Sequence, residues 1–144
     1  MIPEKVLQIL KQDSQKIERY LEQNNVHNDY GVKALQWLED YIDQRRERLT
    51  QSERTGLITM IGAFLGECLI RANGGEWIGV GEEGHKKLGV QMDINFTAMP
   101  FAKVGKYLDD PALDSFVGLF QAVPALLKHV RDKHASKPDD KIGE

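Results

Sequence analysis

One segment, residues 50–75, constrains the fold of this chain more than any other. It reads TQSERTGLITMIGAFLGECLIRANGG. Thr50 and Glu53 have the spacing of a capping box, in which each side chain accepts a hydrogen bond from the other residue's backbone amide. Apolar residues then occupy most sides of the helix, and Gly74–Gly75 supplies a left-handed stop. We therefore predict a central helix over about Gln51–Asn73, covered on most sides by the rest of the domain.

Three glycines inside this helix, Gly56, Gly62 and Gly66, predict close packing. Each costs about 1 kcal/mol relative to alanine in a helix interior. The compensation is close approach, because a missing side chain lets another element pack near the helix axis. We expect another element to cross the helix at Gly62 and Gly66.

The hydrophobic period changes from helical to alternating directly after the two terminal glycines. Residues 76–80 (EWIGV) form a short predicted strand, and residues 81–84 (GEEG) have the length of a hairpin turn. From Leu88 to Phe96 apolar and polar residues alternate strictly, which predicts a strand with one face in the core. A hairpin alone is marginal in water, so this region packs on helices or includes a third strand.

Helical patterns flank the β region on both sides. Before residue 50, apolar residues recur at helical spacing and predict a hairpin of two helices. After the strands, the spacing of Phe101, Val104 and Leu108 predicts a short helix, and Asp110-Pro111 is expected to start the last one. Pro124 is expected to kink that last helix or split it.

These patterns predict the α+β class: an N-terminal helical hairpin, a central apolar helix, an antiparallel β-hairpin or small sheet, and C-terminal helices. Residues 1–134 are predicted to form a single domain, since the length fits one hydrophobic core. Residues 135–144 (ASKPDDKIGE) are polar and lack periodicity. We predict a disordered tail there.

Composition argues against several classes of protein. The chain has 144 residues and a net charge of −3, which disfavours nucleic-acid binding through bulk electrostatics. Its single cysteine, Cys68, excludes an internal disulfide and fits a reducing compartment. The longest apolar stretch falls short of the roughly 20 residues that a membrane span needs. We expect a soluble cytoplasmic protein with no nucleic-acid or membrane partner, no cofactor and no metal.

A set of short motifs resembles a family of uncharacterised bacterial proteins, a domain of unknown function. The motifs are Gly62–Glu67 (GAFLGE), Gly75-x-Trp77, Asn95-Phe96, Phe101-x-x-Val104 and Asp114–Phe116 (DSF). In that family a helix with a GAYLGE-like end precedes a tryptophan-bearing strand and a short helix. The resemblance implies an α+β fold and a bacterial source, and it implies no activity. Phe64 stands where that family often has tyrosine.

Glu67 is the most informative candidate site residue. A carboxylate within an apolar helix must be paired, shift its pKa or face solvent. Arg71 is four residues later and can form an ion pair with it, which is the structural interpretation. The functional interpretation places Glu67 in a cleft beside Trp77, where the indole can stack on a ligand. We favour the structural interpretation. Structural ion pairs also perturb the pKa values of carboxylates, so an unusual carboxylate does not by itself indicate catalysis.

The other candidate binding residues follow the predicted hairpin. Glu82 and Glu83 are in its turn, and Asp93 and Asn95 are on the polar face of the second strand. Their spacing does not match a calcium-binding loop, and a solvated face is the simpler interpretation. The sequence offers no catalytic constellation and no metal signature.

Two classes of function fit these observations. The first is a non-enzymatic protein-interaction module, of an adaptor or toxin-neutralising type, with the acidic turn and polar strand face as its surface. The second is a small-ligand-binding protein or enzyme with a pocket around Glu67, Trp77 and Asp93. A concave pocket that holds these groups favours the second class, and a flat acidic surface favours the first.

Overall fold

A computed structural model of the chain describes residues 2–82, 87–112 and 114–142, with the backbone alone for 135–142. The described residues form five α-helices, which are α1 (Glu4–Gln23), α2 (Val32–Arg45), α3 (Gln51–Asn73), α4 (Pro100–Asp109) and α5 (Phe116–Ile142). Three strands, β1 (Glu76–Val80), β2 (Lys87–Asp93) and β3 (Phe96–Ala98), form one antiparallel sheet in the order β1-β2-β3. The predicted α+β class is confirmed.

The central helix α3 has the predicted bounds, Gln51–Asn73. Both hydrogen bonds of the Thr50–Glu53 capping box are present, and Gly74 ends the helix with φ of 77°. Eight of its residues are buried, and α1, α4 and α5 all pack against it. By length and composition α3 is apolar enough to cross a membrane, contrary to our expectation, but in this structure it is the core helix of a globular domain.

The crossing predicted at Gly62 and Gly66 is confirmed, and aromatic rings make the approach. A methyl group at Gly66 would overlap the Trp77 ring of β1, and one at Gly62 would overlap the Phe101 ring of α4. The two rings also contact each other, with centroids 5.7 Å apart. Gly56 is different, since nothing lies within 4 Å of the position of its missing Cβ. The expected compensation by close packing is therefore wrong for Gly56.

The predicted strand Leu88–Phe96 is interrupted, and the interruption creates the third strand. β2 ends at Asp93, whose carboxylate accepts a hydrogen bond from the Asn95 backbone amide at 3.0 Å. Such a local turn competes with continued strand pairing, because the side chain satisfies the amide instead of a neighbouring strand. Ile94, predicted to be in the core, is 78% exposed at this turn. Phe96 then starts β3, and one extra residue on β2 produces a bulge between Gln91 and Asp93.

The last helix starts later than predicted. Asp110 accepts a hydrogen bond from the Ala112 amide in a turn, and α5 begins at Phe116. Ser115 caps it, because its hydroxyl accepts a hydrogen bond from the Gly118 amide at 3.0 Å. Pro124 does not split α5, which continues to Ile142. The disordered tail proposed for residues 135–144 stays a prediction.

Candidate functional site

Glu67 and Trp77 lie in one cleft between α1, α3 and β1. Its volume is about 380 Å³, which is in the range of small-molecule sites. We call it the α1–α3 cleft. It is lined by Leu7, Leu10, Lys11, Ser14, Gln15 and Glu18 of α1, by Ala63, Glu67 and Arg71 of α3, and by Trp77 of β1.

The position of Trp77 follows from the glycines of α3. Because Gly66 lacks a side chain, the indole lies directly on the helix backbone. Phe101, which occupies the space left by Gly62, contacts the indole and supports it. The half-buried Trp77 is thus held between two elements and forms a rigid apolar wall of the cleft.

Glu67 is paired with Arg71, as the structural interpretation predicted. Arg71 Nε donates to Glu67 Oε1 at 2.9 Å, and the Glu67 side chain is 36% exposed. The carboxylate is therefore not enclosed in the apolar core, because the face of α3 that carries Ala63, Glu67 and Arg71 lines the cleft. A half-exposed i,i+4 pair contributes at most about 0.5 kcal/mol to stability.

The pair continues into a network that the sequence did not predict. The Arg71 guanidinium lies over the Tyr30 ring, 3.7 Å from its centroid. The Tyr30 hydroxyl donates to Glu18 Oε1 at 2.8 Å. Burial raises the pKa of Tyr30, and the hydrogen bond to Glu18 raises it further. The chain Glu67–Arg71–Tyr30–Glu18 joins α3 to α1 at one end of the cleft.

Tyr30 gave no recognisable signal in the sequence. It lies in the polar connector between α1 and α2 and adopts a left-handed backbone with φ of 49°. That conformation is uncommon for residues other than glycine, asparagine and aspartate. The neighbouring Asp29 accepts hydrogen bonds from the amides of Gly31, Lys33 and Ala34. Burial opposes ionisation of Asp29, but these three bonds together lower its pKa.

Ser14 carries an unsatisfied polar group in the cleft. The residue is 4% exposed, and its hydroxyl has no hydrogen-bond partner among the described residues. Helical serines commonly bond to the carbonyl one turn earlier, and Ser14 does not. A buried hydroxyl without a partner costs about 1–3 kcal/mol. The Ser14 hydroxyl therefore destabilises the folded protein at a residue that lines the cleft.

Asp93 and Asn95 do not line the α1–α3 cleft, so the predicted grouping of Glu67, Trp77 and Asp93 is wrong for Asp93. Both residues face α5 instead. Asp93 Oδ2 lies 3.6 Å from Arg131 Nε, and the Asn95 side-chain nitrogen lies 3.3 Å from His134 Nδ1. The polar side chains at the end of β2 thus form contacts within the domain, which leaves less of this face for a partner. Glu82 is exposed beside the hairpin turn, and Glu83 lies outside the described residues.

A second surface feature is a group of aromatic residues where α1 meets α2. We call Tyr20, Trp37, Tyr41 and Arg45 the aromatic patch. Tyr20 contacts both other rings edge-on, with centroid distances of 5.7 Å to Trp37 and 5.4 Å to Tyr41. Trp37 stacks on Tyr41 at 5.8 Å, and the Arg45 guanidinium lies 3.8 Å from the Tyr41 centroid. All four residues are partly exposed.

An apolar pocket of about 110 Å³ opens beside the aromatic patch. Tyr20 and Tyr41 form part of its wall, and Leu57, Met60 and Ile61 of α3 form much of the rest. The helical spacing of Leu35, Leu38, Tyr41 and Ile42 predicts that Tyr41 lies on the buried face of its helix, whereas its side chain is partly exposed. The spacing of Trp37 and Tyr41, four residues apart, was the available signal that two rings share one helix face.

Groups with other chemistry are accounted for within the fold. Cys68 is buried, which raises its thiol pKa and disfavours the reactive thiolate. Glu39 is also buried and accepts hydrogen bonds from the Ser115 hydroxyl and the Val117 amide at the start of α5. Among the residues that the structure describes, no group of three or more His, Cys, Asp or Glu is arranged to hold a metal ion.

Comparison with protein-family models, with curated proteins and with solved structures finds no match for this chain. The resemblance to a bacterial domain of unknown function therefore stays a prediction.

Proposed function

We propose that this protein is a non-enzymatic protein-interaction module, of an adaptor or toxin-neutralising type, in the bacterial cytoplasm. The observation that carries the proposal is the aromatic patch beside its apolar pocket. This surface replaces the acidic turn and strand face considered from the sequence, since Asp93 and Asn95 contact α5.

The composition of the patch is that of interface hot spots. Tryptophan, tyrosine and arginine dominate such sites, because they combine a large contact area with a polar group. Here three aromatic rings support one another, and Arg45 also donates to the Tyr41 carbonyl oxygen at 3.2 Å. The rings are therefore ordered before any partner arrives, which lowers the entropy cost of binding.

The pocket indicates what the partner supplies. A cavity of about 150 Å³ in a protein core accepts benzene. The pocket of about 110 Å³ is smaller and fits one aliphatic side chain. We propose that a partner protein inserts such a side chain between Tyr20, Tyr41 and Met60, with an acidic group close to Arg45.

Site-directed photo-crosslinking in the source cell tests this proposal. A photoreactive amino acid replaces Met60 at the pocket rim, and in the control protein it replaces the exposed Glu76 on β1. We expect one discrete crosslinked protein from position 60 and none from position 76. Introducing Trp37→Ala alongside the crosslinker should weaken this association by at least about 2 kcal/mol, or roughly 30-fold.

The variant Arg45→Gln distinguishes loss of binding from loss of folding. This variant keeps the rings and removes the charge, so its melting temperature should stay close to that of the wild type while crosslinking falls. Equal labelling from both positions, or full crosslinking in the folded Arg45→Gln protein, would contradict the proposal.

A further inference from the structure

We infer that the α1–α3 cleft is a binding site for a small monocarboxylate with an apolar or aromatic body. This site is separate from the aromatic patch and does not depend on the proposed protein partner. The first observation is Ser14, a residue of the cleft wall whose buried hydroxyl has no hydrogen-bond partner among the described residues.

The free polar groups of the cleft lie together on one face of α1. Ser14 and Gln15 are three and four residues after Lys11, which places each of their side chains next to that of Lys11. Within the described part of the chain, neither the Lys11 nor the Gln15 side chain forms a hydrogen bond or ion pair. All three residues can donate hydrogen bonds, so a ligand with acceptor oxygens satisfies them best.

The charges of the cleft favour a ligand with no more than one negative charge. Glu67 is neutralised by Arg71, and Glu18 accepts the hydrogen bond of Tyr30. Glu18 keeps its negative charge, because the tyrosine hydroxyl is neutral, so the formal charges of Lys11, Glu18, Glu67 and Arg71 sum to zero. Among the described residues Lys11 forms no ion pair, so its ammonium group can pair with a ligand. A carboxylate matches that single charge, whereas a phosphate dianion would leave a second charge beside two glutamates.

Apart from Glu18, Glu67 and Arg71, the remaining lining residues are apolar. Leu7 and Leu10 lie beside the donors on α1, and Ala63 of α3 and Trp77 of β1 face them across the cleft. The Trp77 ring is held in place by Gly66 and Phe101, so it presents a fixed flat surface. The combination of a donor cluster and an aromatic wall selects a ligand with a carboxylate at one end and an apolar group at the other.

Calorimetric titration of the full-length protein tests this inference with phenylacetate and hexanoate as probes. Phenylacetamide serves as the matched neutral probe, because it keeps the shape of phenylacetate and removes its charge. We expect saturable binding of at least one carboxylate, and at least about tenfold weaker binding of the amide, since a charge-assisted hydrogen bond is lost.

Two variants separate a binding role from a structural one. Lys11→Gln should weaken carboxylate binding about tenfold, and Lys5→Gln, an exposed change elsewhere on α1, should leave it unaltered. Ser14→Ala should also weaken binding while the free protein melts at the wild-type temperature or above it, because the unsatisfied hydroxyl is gone.

Each remaining outcome would overturn the inference. These outcomes are no binding of either carboxylate tighter than about 10 mM, equal affinity for phenylacetate and phenylacetamide, or full affinity in Lys11→Gln. Loss of stability in Ser14→Ala would show that the hydroxyl has a structural partner. The unsatisfied hydroxyl from which the binding site is inferred would then not exist.

Discussion

Replacing Gly66 with alanine tests the central packing feature of this fold. A methyl group at this position would overlap Cζ2 and Cη2 of the Trp77 indole and lie 3.1 Å from its Cε2. The indole cannot simply retreat, because it contacts Phe101, and Phe101 itself fills the space at Gly62. The added methyl group must therefore displace two rings or the strand that carries Trp77.

The magnitude follows from two opposing terms. Alanine is favoured over glycine in a helix by about 1 kcal/mol, and overpacking a core costs about 1–3 kcal/mol. Because two coupled rings must move, we take the upper part of that range. Gly66→Ala should then destabilise the protein by about 1–2 kcal/mol and lower its melting temperature by roughly 2–8 °C. Gly66→Leu should cost more.

Gly56→Ala is the matched control in the same helix. Nothing lies within 4 Å of its added methyl group, so the helix preference acts alone. This variant should be stabilised by about 1 kcal/mol and melt roughly 2–4 °C higher. Thermal and urea unfolding, followed by circular dichroism, measure both variants.

A double-mutant cycle then identifies the group responsible. In a Trp77→Val background, Gly66→Ala should become stabilising by about 1 kcal/mol, because the ring that opposes the methyl group is gone. If Gly66→Ala stabilises the wild type as much as Gly56→Ala does, or if Trp77→Val leaves its effect unchanged, the packing argument is refuted.

Three further predictions concern polar groups. Glu67→Gln should lower the free energy of unfolding in urea by about 0.5 kcal/mol or less, since the ion pair with Arg71 is half-exposed. A decrease of more than about 1 kcal/mol would contradict this. Glu39→Gln should lower the free energy of unfolding by about 1.5–3 kcal/mol in the same assay, because the buried carboxylate accepts hydrogen bonds from the Ser115 hydroxyl and from the Val117 amide at the start of α5. An unchanged free energy of unfolding would refute this capping role. Asp29→Ala should cost about 1 kcal/mol at pH 7. The pKa of Asp29 is lowered on folding, so its contribution is present above the unfolded value of about 3.9 and is lost as the pH falls through the folded value. The stability gap between wild type and Asp29→Ala, measured from pH 7 down to acid, should therefore narrow below about pH 4.

Local signals in the sequence were enough to place the central helix and the first strand. The capping box at Thr50 and the glycine stop at Gly74 act over a few residues and need no distant partner. The pairing of Glu67 with Arg71 was predictable for the same reason, since one helical turn sets their separation.

Local rules misled where two of them competed. The alternation from Leu88 to Phe96 predicts one strand, yet the Asp93 side chain satisfies the Asn95 amide and turns the chain after β2. Asp110-Pro111 has the sequence of a helix start, but α5 begins at Phe116. There the Glu39 carboxylate accepts a hydrogen bond from the Val117 amide. Glu39 comes from a helix far away in sequence, so no local pattern contains that information.

The sequence by itself determined the α+β class, the central helix and the fact that its glycines Gly62 and Gly66 receive a neighbour. Only the tertiary structure decided which groups meet across elements: Trp77 and Phe101 on α3, Tyr30 between Glu18 and Arg71, and the three rings of the aromatic patch. The physical reason is range. Capping and periodicity arise from hydrogen bonds and burial within one element, whereas a cleft exists only after separate elements pack and leave a hydroxyl such as that of Ser14 between them.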